Sequence, residues 1–563
     1  MKKNIILKAL GVLSFIIGVL DISRISNLPF IFRRIHNNFS QVIPQDYNQF
    51  SIQNQAEIFH LYLSLSLLVV GILLIVFPKY FSRFLLHIKQ LFTSFISFIL
   101  GLKLQCKIII SLLILINISI KFYLVKNMPV FVDEAWTYIV FAQKDILTAM
   151  SNYTAPNNHI LHSLLVNLSL KLPVDTLTAL RFPNFFANIL MVISVFVVYS
   201  KLLNKRISIL LTIIFSSTFP MMYYGYIARG YMIYIWAFLM LYFTGIRILQ
   251  SEKINSKYLT LWILSGIIGF WTVPAFLYPL FSIFIFITYY LIRLKRWYDI
   301  KVFFITNFIT GVIVLYLYLP VFIISGYKSV TANRYVSAWS RISVIKTFNE
   351  LFDKTSWFLF NLPLVLTFAV FLGFIYYFYK HKWTKEIQLS MFLIAVVPIL
   401  MLIHAVVPRE RIWTYWLIPV FYVIGVFYQE VIAPKLSFNK SLGLSITVAL
   451  MYLFIFSVRI TSYESDSIYM KKMVKYLRNH KARSIYFGKD TYLGYNIIYY
   501  YQVHKDSIQY KESFTDFNKK EIPNYEYFLL YELDSIFCRK NGLQKVNYAD
   551  VMPPSQILYK RVR

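Results

Sequence analysis

The chain has 563 residues, 58% hydrophobic and 15% charged, with a mean hydropathy of +0.59. Soluble domains carry roughly 25% charged residues, so a soluble enzyme is excluded and a polytopic membrane protein is indicated. The net charge of +32 does not point to nucleic acid, because Lys and Arg cluster in short gaps between apolar blocks, where they set orientation in a bilayer.

In chain order, Lys2 and Lys3 precede a first apolar block, Ile5 to Leu20, with no small-residue cleavage site after it. It reads as an uncleaved helix. A second span lies near Leu61–Phe77. Phe81–Leu102 sets Arg83, His87 and Lys89 on one side of a helical pattern, which predicts a helix lying in the interface. The next span runs from Ile108 to about Tyr123, followed by a non-spanning segment over 126–181. Further spans are expected near 184–200, 207–222, 228–246, 259–273, 275–292, 302–323, 360–379, 387–405, 413–429 and 441–458. From Arg459 to Arg563 the chain turns polar, with strand-like runs at Ser484–Phe487 and Tyr527–Tyr531 and a helical one at Met470–Leu477. These suggest a small α/β domain.

Every second gap is basic: Lys79 to Lys107, then Lys201/Lys205/Arg206, Arg247/Lys253/Lys257, Arg293/Lys295/Arg296, Lys380/Lys382/Lys385 and Lys435/Lys440. The short gaps 223–227 and 271–275 hold no Lys or Arg. The alternation fits about 13 spans, with the N-terminus inside and the terminal domain outside. Cys106 and Cys538 then fall on opposite faces, and no disulfide is implied.

The outer face collects the residues that can carry chemistry. Asp133 and Glu134 follow a span directly; one reading makes them a helix cap and first-turn acid, the other a base for an acceptor hydroxyl. About 25 residues on, Pro156-Asn157-Asn158-His159 begins a helix that places His159, His162, Ser163 and Asn167 on one face, opposite Leu161, Leu164, Leu165 and Leu168. A polar-surface or substrate-facing role for the histidines is preferred to a metal pair, since no Glu sits between them in zinc-protease spacing. Arg181, Arg229, Arg409 and Arg411 run against the inward bias of positive charge. They serve either headgroup snorkelling or bidentate capture of a phosphate. The 324–357 segment, with Lys328, Arg334, Arg341 and Lys346 among Tyr327, Tyr335 and Trp339, reads as a cover over the site or a loop on anionic lipid.

Together, the Asp-Glu pair, Pro-Asn-Asn-His, Leu-Arg-Phe-Pro around Arg181, Ala-Arg-Gly-Tyr ending in Tyr231, and Pro-Arg-Glu-Arg before Pro419 resemble bacterial GT-C glycosyltransferases. The similarity is to the protein mannosyltransferase-like enzymes and the lipid A aminoarabinose transferase, over about Ile108 to Phe427. It implies an all-α polytopic fold with a small extracytoplasmic α/β domain. The domains would be a two-span extension with an interfacial helix (1–106), a GT-C-like catalytic domain (107–458) and an accessory domain (459–563). It further implies inverting transfer of a sugar from a polyprenyl-phosphate carrier to a lipid, glycan or protein acceptor, on the outer face of a bacterial cytoplasmic membrane. Asp133 and Glu134 would be catalytic, with His159, His162, Arg181, Arg229, Tyr231, Arg409 and Arg411 binding substrate. Relatives often carry a second acid where this chain reads Met221 to Arg229 without Asp or Glu, which leaves a divalent metal open, with Asp133 its ligand if one binds. The competing readings are an oligosaccharide polymerase or ligase using a lipid-linked glycan, and a transporter or flippase of such a substrate. Transporters place their ionisable groups at mid-bilayer, whereas these lie at span ends.

Overall fold

The computed structural model describes residues 2–22, 52–153, 157–331, 340–463, 465–488, 493–512, 519–531, 533, 535–546 and 557–562. Pro156, Arg334, Tyr335, Trp339, Asp490 and Glu532 lie outside the described residues. The N-terminal extension is a pair of helices, α1 (Lys2–Ile22) and α2 (Ile52–Val76). They touch backbone to backbone: a Cβ on Gly11 would meet the Gly71 carbonyl at 2.9 Å, and one on Gly71 would meet that of Gly11 at 2.8 Å. Small residues permit this approach, which is how apolar helices gain contact where lipid offers no hydrophobic drive. Ser14 and Ser64 add hydrogen bonds across the pair, to the Leu67 carbonyl and to Asp21.

The helices α3 (Pro78–Leu100) and α4 (Leu104–Asn127) follow. Among the described residues eleven helices are long and apolar enough to cross a membrane, α3 included. Three of the expected spans fall short. The apolar part of α2 is His60–Val76. The 207–222 span is broken at Thr218, whose backbone is extended, so that Lys205–Ser217 and Phe219–Tyr224 are separate helices with Pro220 opening the second. The third, Ser256–Thr272, measures about 25 Å against a hydrocarbon core of about 30 Å.

Two helices carry the polarity of the bundle, α7 (Thr176–Leu202) and α8 (Tyr231–Gln250), with α5 (Val132–Trp136) and α6 (Ile160–Ser169) before them in the chain. Both α7 and α8 end among the basic gaps, and those gaps bond to one another. Arg247 donates to the Lys201 carbonyl (2.8 Å), Arg296 to that of Ser251 (2.7 Å) and Gln250 to Glu386 (3.1 Å), while Lys382 pairs with Glu430 (2.6 Å). The gaps that the sequence groups by charge are therefore grouped in space. Helix α3 reaches the same end twice. His87 bonds Thr260 and Ser256 at the start of α9 (Ser256–Thr272), and Phe98, three turns on, lies 5.6 Å beneath both Lys201 and Lys205.

Helix α7 contains Pro183. Proline has no N–H, so the carbonyl four residues back, Ala179, lacks its helical partner. Ser169 at the end of α6 donates to it at 2.6 Å, which ties α6 to α7. The expected cover over 324–357 is largely helical: short turns at Leu319–Ile324 and Lys328–Thr331, then α10 (Arg341–Phe360), capped by Ser340, whose hydroxyl accepts from the Ser343 N–H.

Beyond the last span, a five-stranded sheet runs in the order β2-β1-β3-β5-β4. Its strands are β1 (Ser484–Phe487), β2 (Gln509–Glu512), β3 (Tyr527–Leu530), β4 (Leu543–Lys545) and β5 (Ile557–Arg561). The first three are parallel to one another, while β5 is antiparallel to both β3 and β4. The connection from β1 to β2 passes through α11 (Gly494–Val503).

Candidate active site

The chain leaves α4 at Asn127 and turns through Met128–Phe131 without regular structure before α5 begins. Helix α5 has five residues and continues into a π-helical turn, Thr137–Ala142. Its cap is Phe131, not Asp133. Glu134, three residues on, accepts the Phe131 N–H at 2.8 Å, so Glu134 performs the capping role that the sequence leaves open for its neighbour.

The two acids then part. Glu134 is wholly buried and receives two guanidinium N–H groups of Arg181, at 2.9 and 2.7 Å, and the backbone N–H of Ala228 at 2.7 Å. The rest of Arg181 is spent on the carbonyls of Val125 (3.1 Å), Met128 (2.9 Å) and Pro129 (2.6 Å). This pair joins the end of α4, the start of α5, helix α7 and the turn before α8. Its donors and acceptors face each other rather than a substrate.

Asp133 turns away from this pair and is 23% exposed. Two guanidinium groups approach the same oxygen, Oδ2: Arg229 at 3.6 Å and Arg411 at 3.5 Å. The ring of Tyr231 lies 5.9 Å from both guanidinium carbons, within cation–π reach. Arg229 also donates to the carbonyl of Asn157 at 3.1 Å and to its side chain, while its buried Nε has no partner among the described residues.

His159, at the N-terminal edge of α6, and His162, within it, are both buried nearby. The Gly230 N–H donates to His159 Nδ1 at 2.8 Å, which fixes the tautomer with the proton on Nε2. Gly230 is required there: a Cβ would stand 2.5 Å from Thr272 and 2.9 Å from His159. Buried His162 has no partner for Nε2 among the described residues. Burial first, and the charge of Arg229 second, push its imidazole down to about 3, so it is neutral. The same two causes lower His159.

The structure thus brings together Asp133, His159, His162, Arg229, Tyr231 and Arg411. It sets Glu134 and Arg181 behind them as a closed pair. Arg409 lies outside, exposed on a cleft formed with Glu350 and Lys354 of α10. Asn157 is the site residue that residue type alone missed; its place before His159 in Asn157-Asn158 was the available signal. For a metal the fit is poor. Among the described residues no three of His, Cys, Asp and Glu gather, and Asp133 stands between two cations, which oppose a divalent ion.

No protein-family model matches the chain, nor does any curated protein. Solved structures do. ArnT from Cupriavidus metallidurans in the apo state matches 80% of this chain and 97% of its own, with a TM-score of 0.55 at 9% identity. The same enzyme bound to undecaprenyl phosphate matches 80% and 98%, with the same TM-score and identity. The chain shares the fold of these two ArnT structures.

Proposed function

We propose that this protein is an inverting glycosyltransferase that moves a sugar from a polyprenyl-phosphate carrier to an acceptor hydroxyl at the outer face of the membrane. The observation that carries the reading is the triad of Asp133, Arg229 and Arg411. A carboxylate flanked by two arginines at one of its oxygens keeps the other, Oδ1, for an incoming hydroxyl. The arginines sit where a departing phosphate develops charge. The carrier phosphate is a stable leaving group once that charge is met, so it needs cations more than a proton donor. The orphaned Arg229 Nε and the His162 ring are further donors for its oxygens. Asp133 takes the proton of the attacking hydroxyl while the anomeric carbon inverts.

The ArnT structure bound to undecaprenyl phosphate supports a carrier of this class. The basic gaps bonded to one another support an inner face at the opposite end from Asp133. The test is turnover: purified protein in lipid with polyprenyl-phosphate-linked sugars should release free polyprenyl phosphate and label an acceptor. Movement of intact carrier across vesicles without release would favour the flippase reading instead.

A further inference from the structure

The four residues before α5 own no regular structure, yet their buried backbone groups must find partners. Side chains from distant segments supply them. The carbonyls of Met128 and Pro129 take Arg181, and the Phe131 N–H takes Glu134. Among the described residues Val130 is served by the C-terminal domain alone: Asn496 donates to its carbonyl at 2.9 Å, and its N–H donates to the Tyr500 hydroxyl at 3.2 Å. Asn496 and Tyr500 lie one turn apart on α11, on one face. The adjoining stripe of α11 continues the contact, with Tyr495 stacked on Trp136 (4.8 Å between centroids, 22° between planes) and Tyr499 edge-on to Tyr138 (5.2 Å, 81°). Asp133 sits between Val130 and Trp136, so α11 grips the chain on both sides of it.

We propose that α11 of the C-terminal domain is a positioning element for Asp133, with Asn496 and Tyr500 as positioning residues that act through the backbone of Val130. A helix of five residues does not hold its own shape in isolation, since helix nucleation is costly. The Arg181–Glu134 pair braces α5 from the bundle side, and α11 completes the brace from outside. The seam also leaves Trp136 Nε1, Asn496 Oδ1 and Tyr499 Oη buried without partners among the described residues. A contact selected for stability alone would not retain them, whereas one retained for geometry can. The inference rests on the transfer reading for its catalytic consequence, but not for its structural one.

The experiment compares the full-length protein in lipid nanodiscs with Tyr500→Phe, which keeps the ring, and with Asn496→Ala/Tyr500→Phe. Amide hydrogen exchange is read over 130–136. Turnover is read with a polyprenyl-phosphate-linked sugar, and carrier affinity with undecaprenyl phosphate. The double variant should exchange about 10-fold faster over 130–136, with β1 and β3 unchanged as proof of an intact sheet. Its kcat should fall about 10-fold with donor KM and undecaprenyl phosphate affinity unchanged, because only the approach geometry of Asp133 is disturbed. Unchanged exchange over 130–136 in the double variant overturns the proposal. So does a raised acceptor KM with unchanged kcat, which would make the domain an acceptor-binding element. A wild-type protein that turns over no such sugar would sink the transfer reading alone, and the exchange arm would still decide whether α11 holds the segment.

Discussion

Asp133 and Glu134 are neighbours in sequence and have opposite surroundings. Glu134 meets its arginine at 2.7 Å with neither side chain exposed, and its remaining capacity is filled by backbone N–H groups. Asp133 meets two arginines at 3.5 and 3.6 Å, through one oxygen only, and is 23% exposed. One step along a helix turns a side chain about 100°, enough to send one acid into the protein and the other toward Arg229 and Arg411. A tight, saturated pair fixes positions. A loose, unsaturated one retains chemical capacity. Each arginine takes its character from the acid it faces.

The comparison breaks most visibly at Asp133. Asp133→Asn keeps size and shape, and the cap belongs to Phe131 and Glu134, so the protein should still fold, with melting lowered only modestly as Arg229, 3% exposed, loses its counter-charge, while transfer falls by about 10²–10⁴-fold. Normal turnover in that variant would erase the distinction between the two acids. Arg181→Ala should do the reverse. It leaves the Glu134 carboxylate buried without its cation, at a cost of about 3–5 kcal/mol in stability, read as a lowered melting temperature or loss of folded protein in detergent. A stable, inactive Arg181→Ala protein would move Arg181 to the substrate side.

Smaller effects sharpen the contrast among the arginines. Arg229→Ala and Arg411→Ala should each lower kcat/KM by about 10- to 100-fold, one charge-assisted hydrogen bond being worth about 1.5–3 kcal/mol. Arg409→Ala, on the neighbouring cleft, should cost less than either. Lysine at 229 or 411 should recover only part, because a point charge does not reproduce the guanidinium fork. The smallest effect concerns pH. The His162 imidazole is held down to about 3 in the folded protein, against 6.5 for an unperturbed histidine. Its contribution to stability is therefore present above about 6.5 and lost as pH falls toward 3, since only the unfolded chain binds the proton in that window. Melting temperature should drop as pH goes from 7 to 5, and less steeply in His162→Gln. Equal slopes would mean that the ring is not shielded as the structure has it.

The sequence disclosed what depends on local pattern. Charge in the gaps revealed which ends lie together, because each gap carries its own lysines and arginines. Ser484–Phe487 was legible as a strand, being an apolar run of β-formers. Strands β2 and β4 were not, since Gln509–Glu512 and Leu543–Lys545 are short, polar-rich and defined mainly by their partners. The break at Thr218 had a signal in Pro220 that the hydropathy of 207–222 concealed. At the site, charge and position found Asp133, Arg229 and Arg411. They could not assign Arg181, because its partner stands 47 residues away and residue type does not name it. The grip of α11 on Val130 crosses 366 residues and had no local trace at all.

Pro183 has a consequence for anyone engineering this protein. Replacing an in-helix proline with alanine is ordinarily a stabilising edit, because it restores a backbone hydrogen bond and relieves a clash. In α7 the restored N–H at position 183 would share the Ala179 carbonyl with the Ser169 hydroxyl, two donors then dividing the lone pairs of one oxygen. The helix would gain a bond while the Ser169 bond at the α6–α7 junction weakens, and α6 carries His162. A local improvement would thus be traded against the seating of a side chain twenty-one residues upstream, so the proline acts as a tertiary joint rather than as a flaw in a span.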